Sequence, residues 1–168
     1  NAFLTGLLIL PYSIASSAVA PFAGSYAGKN GSRGLTIAGP CIYILALIIF
    51  TTFNPTTPMW EIVLASVIMG IGNGCFQSPS NNAIITCVNK DELGIASGIL
   101  SLSRNLGNIL GVAVTITLFD SFRNLMIEEG IKYQTAFLTS YHWTMCFGIA
   151  FGLTCLTCSA IAYAPEKA

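Results

Sequence analysis

Residues 94–119 read GIASGILSLSRNLGNILGVAVTITLF, a stretch with a single charged residue, Arg104. A bilayer core about 30 Å thick is crossed by about 20 apolar residues rising 1.5 Å each, so this stretch is long enough to span it as a helix. At 100° per residue, Gly94, Ser97, Gly98, Ser101, Arg104, Asn105, Asn108 and Gly111 fall within one arc of roughly 140°. Ile95, Ile99, Leu102, Leu106 and Ile109 take the opposite side. One face suits lipid and the other suits protein or water. Arg104 lies roughly 15 Å along the helix from Gly94, deep in the hydrocarbon layer. A cation at that depth costs at least about 2.5–3.5 kcal/mol unless it meets a compensating group or a water-filled cavity. Glu61, Asp91, Glu92 and Asp120 all fall near span ends instead of at this depth. Arg104 therefore either braces the bundle through helix-end carbonyls and amides or lines an aqueous pathway, and intramembrane ionisable groups mostly mark such pathways.

The same reading extends along the chain. Charged residues make up 8% of it and hydrophobic ones 54%, whereas a soluble domain carries about a quarter charged residues. Charges and turn residues cut it into five spans, at about residues 2–27, 35–53, 61–88, 94–119 and 136–164. Backbone at membrane depth satisfies itself only in helices, so the expected fold is all-α, a polytopic membrane bundle of about five transmembrane helices. The polar stretch 120–134 is expected to hold a short interfacial helix. Seven basic and seven acidic residues cancel, and no basic stripe interleaved with aromatics is present, so nucleic acid is not an expected partner. The chain begins with Asn1 and its first apolar run lacks a signal peptide's basic start and cleavage site, which predicts a fragment of something longer.

Several local patterns resolve into packing. Cys41, Cys75, Cys146, Cys155 and Cys158 lie inside apolar stretches and Cys87 near the end of one, where small packing residues are expected. Cys155-Leu-Thr-Cys158 has the spacing of a redox or zinc pair but lacks a second pair, so no metal or other cofactor is expected. Gly70-Ile-Gly-Asn-Gly74 begins like a dinucleotide fingerprint, yet no βαβ unit surrounds it and close helix packing explains it better. His142 stands between Tyr141 and Trp143 at the outer edge of the last span, as a belt residue does more readily than a proton relay. A membrane enzyme would need a nucleophile and base, or a metal cluster, at one depth, and this histidine supplies neither.

The third span carries a second polar stripe. Ser66, Gly70, Asn73, Gln77, Ser80 and Asn81 fall within roughly 100°, and such amides either read a substrate or glue helices together. Pro79 is expected to kink or break this helix. The first span adds Thr5, Tyr12, Ser13 and Ser16, whereas the second has little polarity beyond Thr36 and the fifth only scattered Thr, Ser and Cys. Spans one, three and four are expected to surround a polar interior, with two and five outside.

Cytoplasmic loops are enriched in Lys and Arg. Placing Lys29, Arg33, Lys90 and Lys167 inside and Arg123 and Lys132 outside puts the N-terminus outside and the C-terminus inside. Trp60 and Trp143 then fall at the outer interface, and Tyr26 and Tyr163 at the inner one.

Gly6-Leu-Leu-Ile-Leu-Pro11 and Ala20-Pro21-Phe-Ala-Gly24, then Gly94-Ile-Ala-Ser-Gly98, Arg104-Asn-Leu-Gly107 and Leu110-Gly111-Val-Ala113, resemble the C-terminal half of a major facilitator superfamily transporter. The closest resemblance is to the fourteen-span multidrug-resistance group of drug:proton antiporters. The loop Gly24-Ser-Tyr-Ala-Gly-Lys29-Asn-Gly31-Ser-Arg33 is similar to the superfamily's cytoplasmic signature, with Gly24, Lys29, Gly31 and Arg33 as its matching residues. Gly28 stands where that signature usually has an aspartate, so the carboxylate's gating contact does not carry over. The resemblance implies the last five spans of a secondary active transporter in a prokaryotic plasma membrane. It implies export of small amphipathic compounds with protons as coupling ion, rocking against a missing N-terminal half of the same chain. Ser97, Ser101, Arg104, Asn105, Asn108, Asn73, Gln77 and Asn81 are the expected cavity residues. Transport of a metabolite such as an organic anion is the alternative, and a membrane assembly subunit without transport is a third reading.

Overall fold

The computed structural model describes the backbone of residues 2–128 and 130–162, and the side chains of residues 6–161 apart from 30, 90 and 129. Tyr163, Ala164 and Lys167, and the side chains of Thr5 and Lys90, which entered the readings above, lie outside the described residues. The elements are helices α1 (Ala2–Asn30), α2 (Arg33–Thr51), α3 (Met59–Thr86), α4 (Leu93–Glu128) and α5 (Tyr133–Ala162), with one 3-10 turn at Lys90–Glu92. All five helices are long and apolar enough to cross a membrane. The fold is all-α, a partial bundle of membrane helices.

Two helices end on a glycine that a left-handed backbone requires. At Gly31, φ is +88° and its N–H donates to the Ala27 carbonyl at 3.0 Å, which closes α1. At Gly130, φ is +81°; its N–H donates to Ile127 while the Ile131 N–H reaches back to Met126. This double closure is the Schellman arrangement, which satisfies the last carbonyls of α4.

Helix α4 departs from expectation. It runs on through Asp120–Glu128, so the stretch assigned to a separate interfacial helix is the last two turns of α4. Charges end a membrane span, but only a backbone breaker ends a helix, and none occurs between Asp120 and Glu128. Arg123 and Asp120 also pair at 2.9 Å across one turn. Thirty-six residues extend about 54 Å, well past a bilayer core. Pro79 likewise fails to break α3, which is continuous past it with the ring fully buried. Neighbouring groups compensate such prolines in membrane helices.

The chain divides into two units, Asn1–Ile84 with Ile149–Ala168, and Ile85–Gly148. In the first unit, glycines set the helix contacts. A Cβ added at Gly70 would strike the Tyr12 carbonyl of α1, and one at Gly74 would lie 2.8 Å from the Ser16 carbonyl. Contacts that advance together in number, Tyr12 with Gly70 and Ser16 with Gly74, make α1 and α3 parallel. Between Gly70 and Gly74, Gly72 turns the other way and meets Gly39 and Tyr43 of α2, while Gly39 meets Phe76. Here the numbers run oppositely, so α2 is antiparallel to α3. Helix α5 packs antiparallel on α2, with Ile44 against Gly152 and the Ser159 hydroxyl donating to the Thr36 carbonyl at 3.1 Å. Helix α2 thus buries Thr36, Gly39, Pro40, Ile44, Ala46 and Leu47 and exposes Cys41, Leu45 and Ile48 along its opposite stripe.

In the second unit, aromatic rings join α4 to α5. Phe122 stacks on Trp143 with ring centres 5.9 Å apart and also meets Phe147, and Phe119 meets Phe137 edge-on at 5.2 Å.

Candidate functional site

The polar stripe of α3 divides between packing and open space. Asn73 donates from Nδ2 to Ser16 Oγ of α1 at 3.1 Å, flanked by the close approaches at Gly70 and Gly74. Ser66 is buried and donates to the Ile62 carbonyl of its own helix at 2.8 Å. Gln77, Ser80 and Asn81 are half-buried on the same stripe. Asn73 therefore ties α3 to α1 and Ser66 is satisfied within α3, whereas the lower part of the stripe keeps partial exposure.

At the opposite end of this unit from Gly31, Leu8, Ile9, Tyr12, Phe50, Ser66 and Met69 line a cleft of about 220 Å³. Its walls come from α1, α2 and α3 and are apolar except at Tyr12 and Ser66. That mix suits a small amphipathic group, since ligand sites combine apolar walls with few polar anchors.

The α4 face is open. Among the described residues α4 buries none, and a Cβ added at Gly94, Gly98, Gly107 or Gly111 would meet nothing within 4 Å. Ser97 donates to the Gly94 carbonyl at 3.0 Å; Ser101, Arg104, Asn105 and Asn108 are all exposed. The five apolar residues opposite are exposed too, from 58% at Leu106 to 68% at Ile95. Both faces of α4 are uncovered, which a helix tolerates when lipid meets one side and water or further protein meets the other. Asn73, Gln77 and Asn81 belong to the first unit, and Ser97, Ser101, Arg104, Asn105 and Asn108 to the second.

The loop residues serve separate purposes. Gly24 lies within α1, where an added Cβ would come 2.8 Å from Ser78 Oγ, so it is a packing residue of α3's flank. Gly31 makes the turn. Lys29 closes the last turn of α1, where a cation complements the helix dipole, and Arg33 opens α2, exposed.

Two features escaped the sequence reading. Ala136, Ser140 and Thr144 form a buried line on α5 at intervals of four, and Gly148 and Gly152 at the same interval are half-buried. Ser140 and Thr144 donate to their own helix, to Ala136 and Ser140 carbonyls at 2.7 Å each. The regular spacing of small residues was the available signal. Because this line supplies the packing surface, Cys146, Cys155 and Cys158 are exposed, contrary to the expectation of packed cysteines. Cys41 and Cys87 are exposed as well, and Cys75 alone is half-buried. His142 is half-buried with its ring centre 5.8 Å from that of Tyr141.

Comparison with known proteins agrees with this architecture. The uncharacterized transporter YebQ of Escherichia coli is 35% identical over 124 residues, covering 70% of this chain and 26% of that protein. The multidrug resistance protein Stp of Mycobacterium tuberculosis is 30% identical over 129 residues, covering 77% of this chain and 24% of its own length. The riboflavin transporter RibZ of Clostridioides difficile is 27% identical over 138 residues, 81% of this chain and 29% of that protein. The chain thus spans about a quarter of the length of the curated relatives it matches. The family model of the Major Facilitator Superfamily matches residues 1–168, and this multi-pass membrane chain belongs to that superfamily.

Proposed function

We propose that the chain forms part of the C-terminal half of a secondary active transporter that exports small amphipathic compounds across a bacterial plasma membrane in exchange for protons. The observation that carries this reading is the uncovered polar arc of α4, which includes Arg104 midway along its length, with no described residue of the helix buried. A cation retained at that depth fits an aqueous pathway better than a lipid-facing helix. Relatives named for multidrug resistance and tetracycline resistance support export. Ser97, Ser101, Arg104, Asn105 and Asn108 then line the pathway from the exposed arc of α4. The N-terminus lies outside and the C-terminus inside, with Gly31, Lys29 and Arg33 in a cytoplasmic turn.

Uptake of an amphipathic cationic dye into inside-out vesicles carrying the complete protein, driven by an acidic lumen, tests the reading. Transport should collapse with a protonophore and fall at least about tenfold in Arg104→Ala. Transport indifferent to the protonophore would remove the proton coupling, and an unaffected Arg104→Ala would remove the cavity assignment.

A second reading is transport of a metabolite, favoured by the similarity to a riboflavin transporter; if the metabolite is an organic anion, Arg104 binds it directly. Competition by organic anions that is lost in Arg104→Ala and kept in Arg104→Lys would select it.

A further inference from the structure

The cleft between α1, α2 and α3 lies wholly within the first unit, and no residue of α4 takes part in it. Its volume of about 220 Å³ falls below the roughly 300–1,000 Å³ of sites that enclose a drug-sized molecule. A dry cavity of about 150 Å³ walled by Leu, Ile and Phe already binds benzene. The cleft is sized for one ring.

Its walls select the kind of ring. Phe53 meets Phe50 edge-on with ring centres 5.0 Å apart, which fixes one aromatic wall in place. Tyr12 supplies a second, Met69 a polarizable thioether, and Leu8 and Ile9 the aliphatic sides. Aromatic rings pair in offset or edge-on geometry, and a thioether sulfur favours the edge of a ring. None of the six lining side chains is a carboxylate or a cation, so a charged ligand would lose its hydration there without compensation.

Ser66 adds a hydrogen-bonding preference. It is buried, and its one hydroxyl proton is given to the Ile62 carbonyl at 2.8 Å. Only lone pairs remain to it, so it takes a donor from a ligand and offers none. A hydroxyl on the ring meets that requirement; a lipid acyl chain, which has no donor, does not.

We propose that this cleft binds an uncharged monocyclic phenol, its ring between Tyr12, Phe50 and Met69 and its hydroxyl donating to Ser66. The site stands apart from the α4 pathway and does not depend on what that pathway carries.

The probe is a phenol bearing a para trifluoromethyl-diazirine, irradiated with the complete protein in phosphatidylcholine bilayers and mapped by peptide mass spectrometry. Adducts should fall on peptides carrying Tyr12 or Met69, and excess phenol should displace them. Ile9→Trp fills the cleft from its rim and should remove the displaceable adducts. Leu10→Trp should keep them, because Leu10 is 53% exposed against 58% for Ile9 yet lies outside the cleft. Phenol should displace the probe at about 3–10-fold lower membrane concentration than toluene, the effect of one hydrogen bond. Ser66→Ala should erase that difference while leaving the circular dichroism spectrum unchanged. Adducts that excess phenol leaves in place would mean that acyl chains or further helices fill the cleft, and would overturn the proposal. Unchanged displacement in Ile9→Trp, equal competition by phenol and toluene in the wild-type chain, or a difference that persists in Ser66→Ala would do the same.

Discussion

Gly39 and Gly72 face each other across the α2–α3 crossing, each lying where a side chain on the other would need to go. A Cβ at Gly39 would lie 2.9 Å from the Gly72 carbonyl oxygen and 2.7 Å from Phe76 Cβ, and one at Gly72 would lie 3.0 Å from the Gly39 carbonyl oxygen. The obstructing atoms are largely backbone, so a methyl group cannot be absorbed by a rotamer change and the helices must separate. Gly39→Ala and Gly72→Ala should each destabilise the bundle by about 1–3 kcal/mol, the usual range for overpacking. Gly6→Ala, with nothing within 4 Å, is the control and should be neutral or slightly stabilising. Denaturant titration of the chain in micelles, followed by circular dichroism, separates these outcomes; equal effects at all three positions would refute the tight crossing.

The Asn73–Ser16 bond is the polar counterpart of this seam. Within membranes such bonds average about 0.6 kcal/mol and reach about 1.7 kcal/mol. A double-mutant cycle with Asn73→Ala and Ser16→Ala should return a coupling in that range. Strictly additive losses would show that Asn73 is available for another role, such as reading a substrate.

Phe122 carries the aromatic junction between α4 and α5 through its stacking on Trp143 and its contact with Phe147. Aromatic pairs contribute about 0.5–1.5 kcal/mol beyond the area they bury. In a Trp60→Phe background, which leaves Trp143 as the sole indole, Phe122→Ala should shift the emission of Trp143 and lower stability by at least that amount. Phe137→Ala, which removes the Phe119 ring contact, should leave the emission nearly unchanged. An unaltered spectrum in Phe122→Ala would contradict the stacked geometry.

The five helices were legible because charges and turn residues interrupt apolar runs of membrane length. What hydropathy could not see was where a helix, as distinct from a span, ends. Asp120–Glu128 is too polar for lipid but contains nothing that stops a helix, and only Gly130 does so. Gly70, Gly72 and Gly74 announced close packing in the sequence, yet alternate glycines point about 200° apart. Their division between α1 and α2 needed the neighbours to be in place. The α4 arc was readable from periodicity alone. The small-residue line of α5 was equally periodic, but small residues carry no charge or strong polarity to mark a face, and its burial leaves Cys155 and Cys158 exposed.

The α4 arc makes the sharpest remaining distinction. A thiol reacts with water-borne reagents as the thiolate, which forms only where water reaches it. Single cysteines at Ser101 and Asn108, in the complete protein freed of its own cysteines, should therefore react with a charged, membrane-impermeant maleimide. Cysteines at Ile99 and Ile109, on the opposite face of the same helix, should react at least about tenfold more slowly, because lipid suppresses ionisation there. Excess transported compound should slow labelling at Asn108 and leave Ile109 unaffected, since only the former shares a face with Arg104. Resistance at all four positions would mean that the polar face is buried dry against protein, and Arg104 would then be a brace. Equal labelling on both faces would mean that α4 is not lipid-facing along its Ile95–Ile109 side.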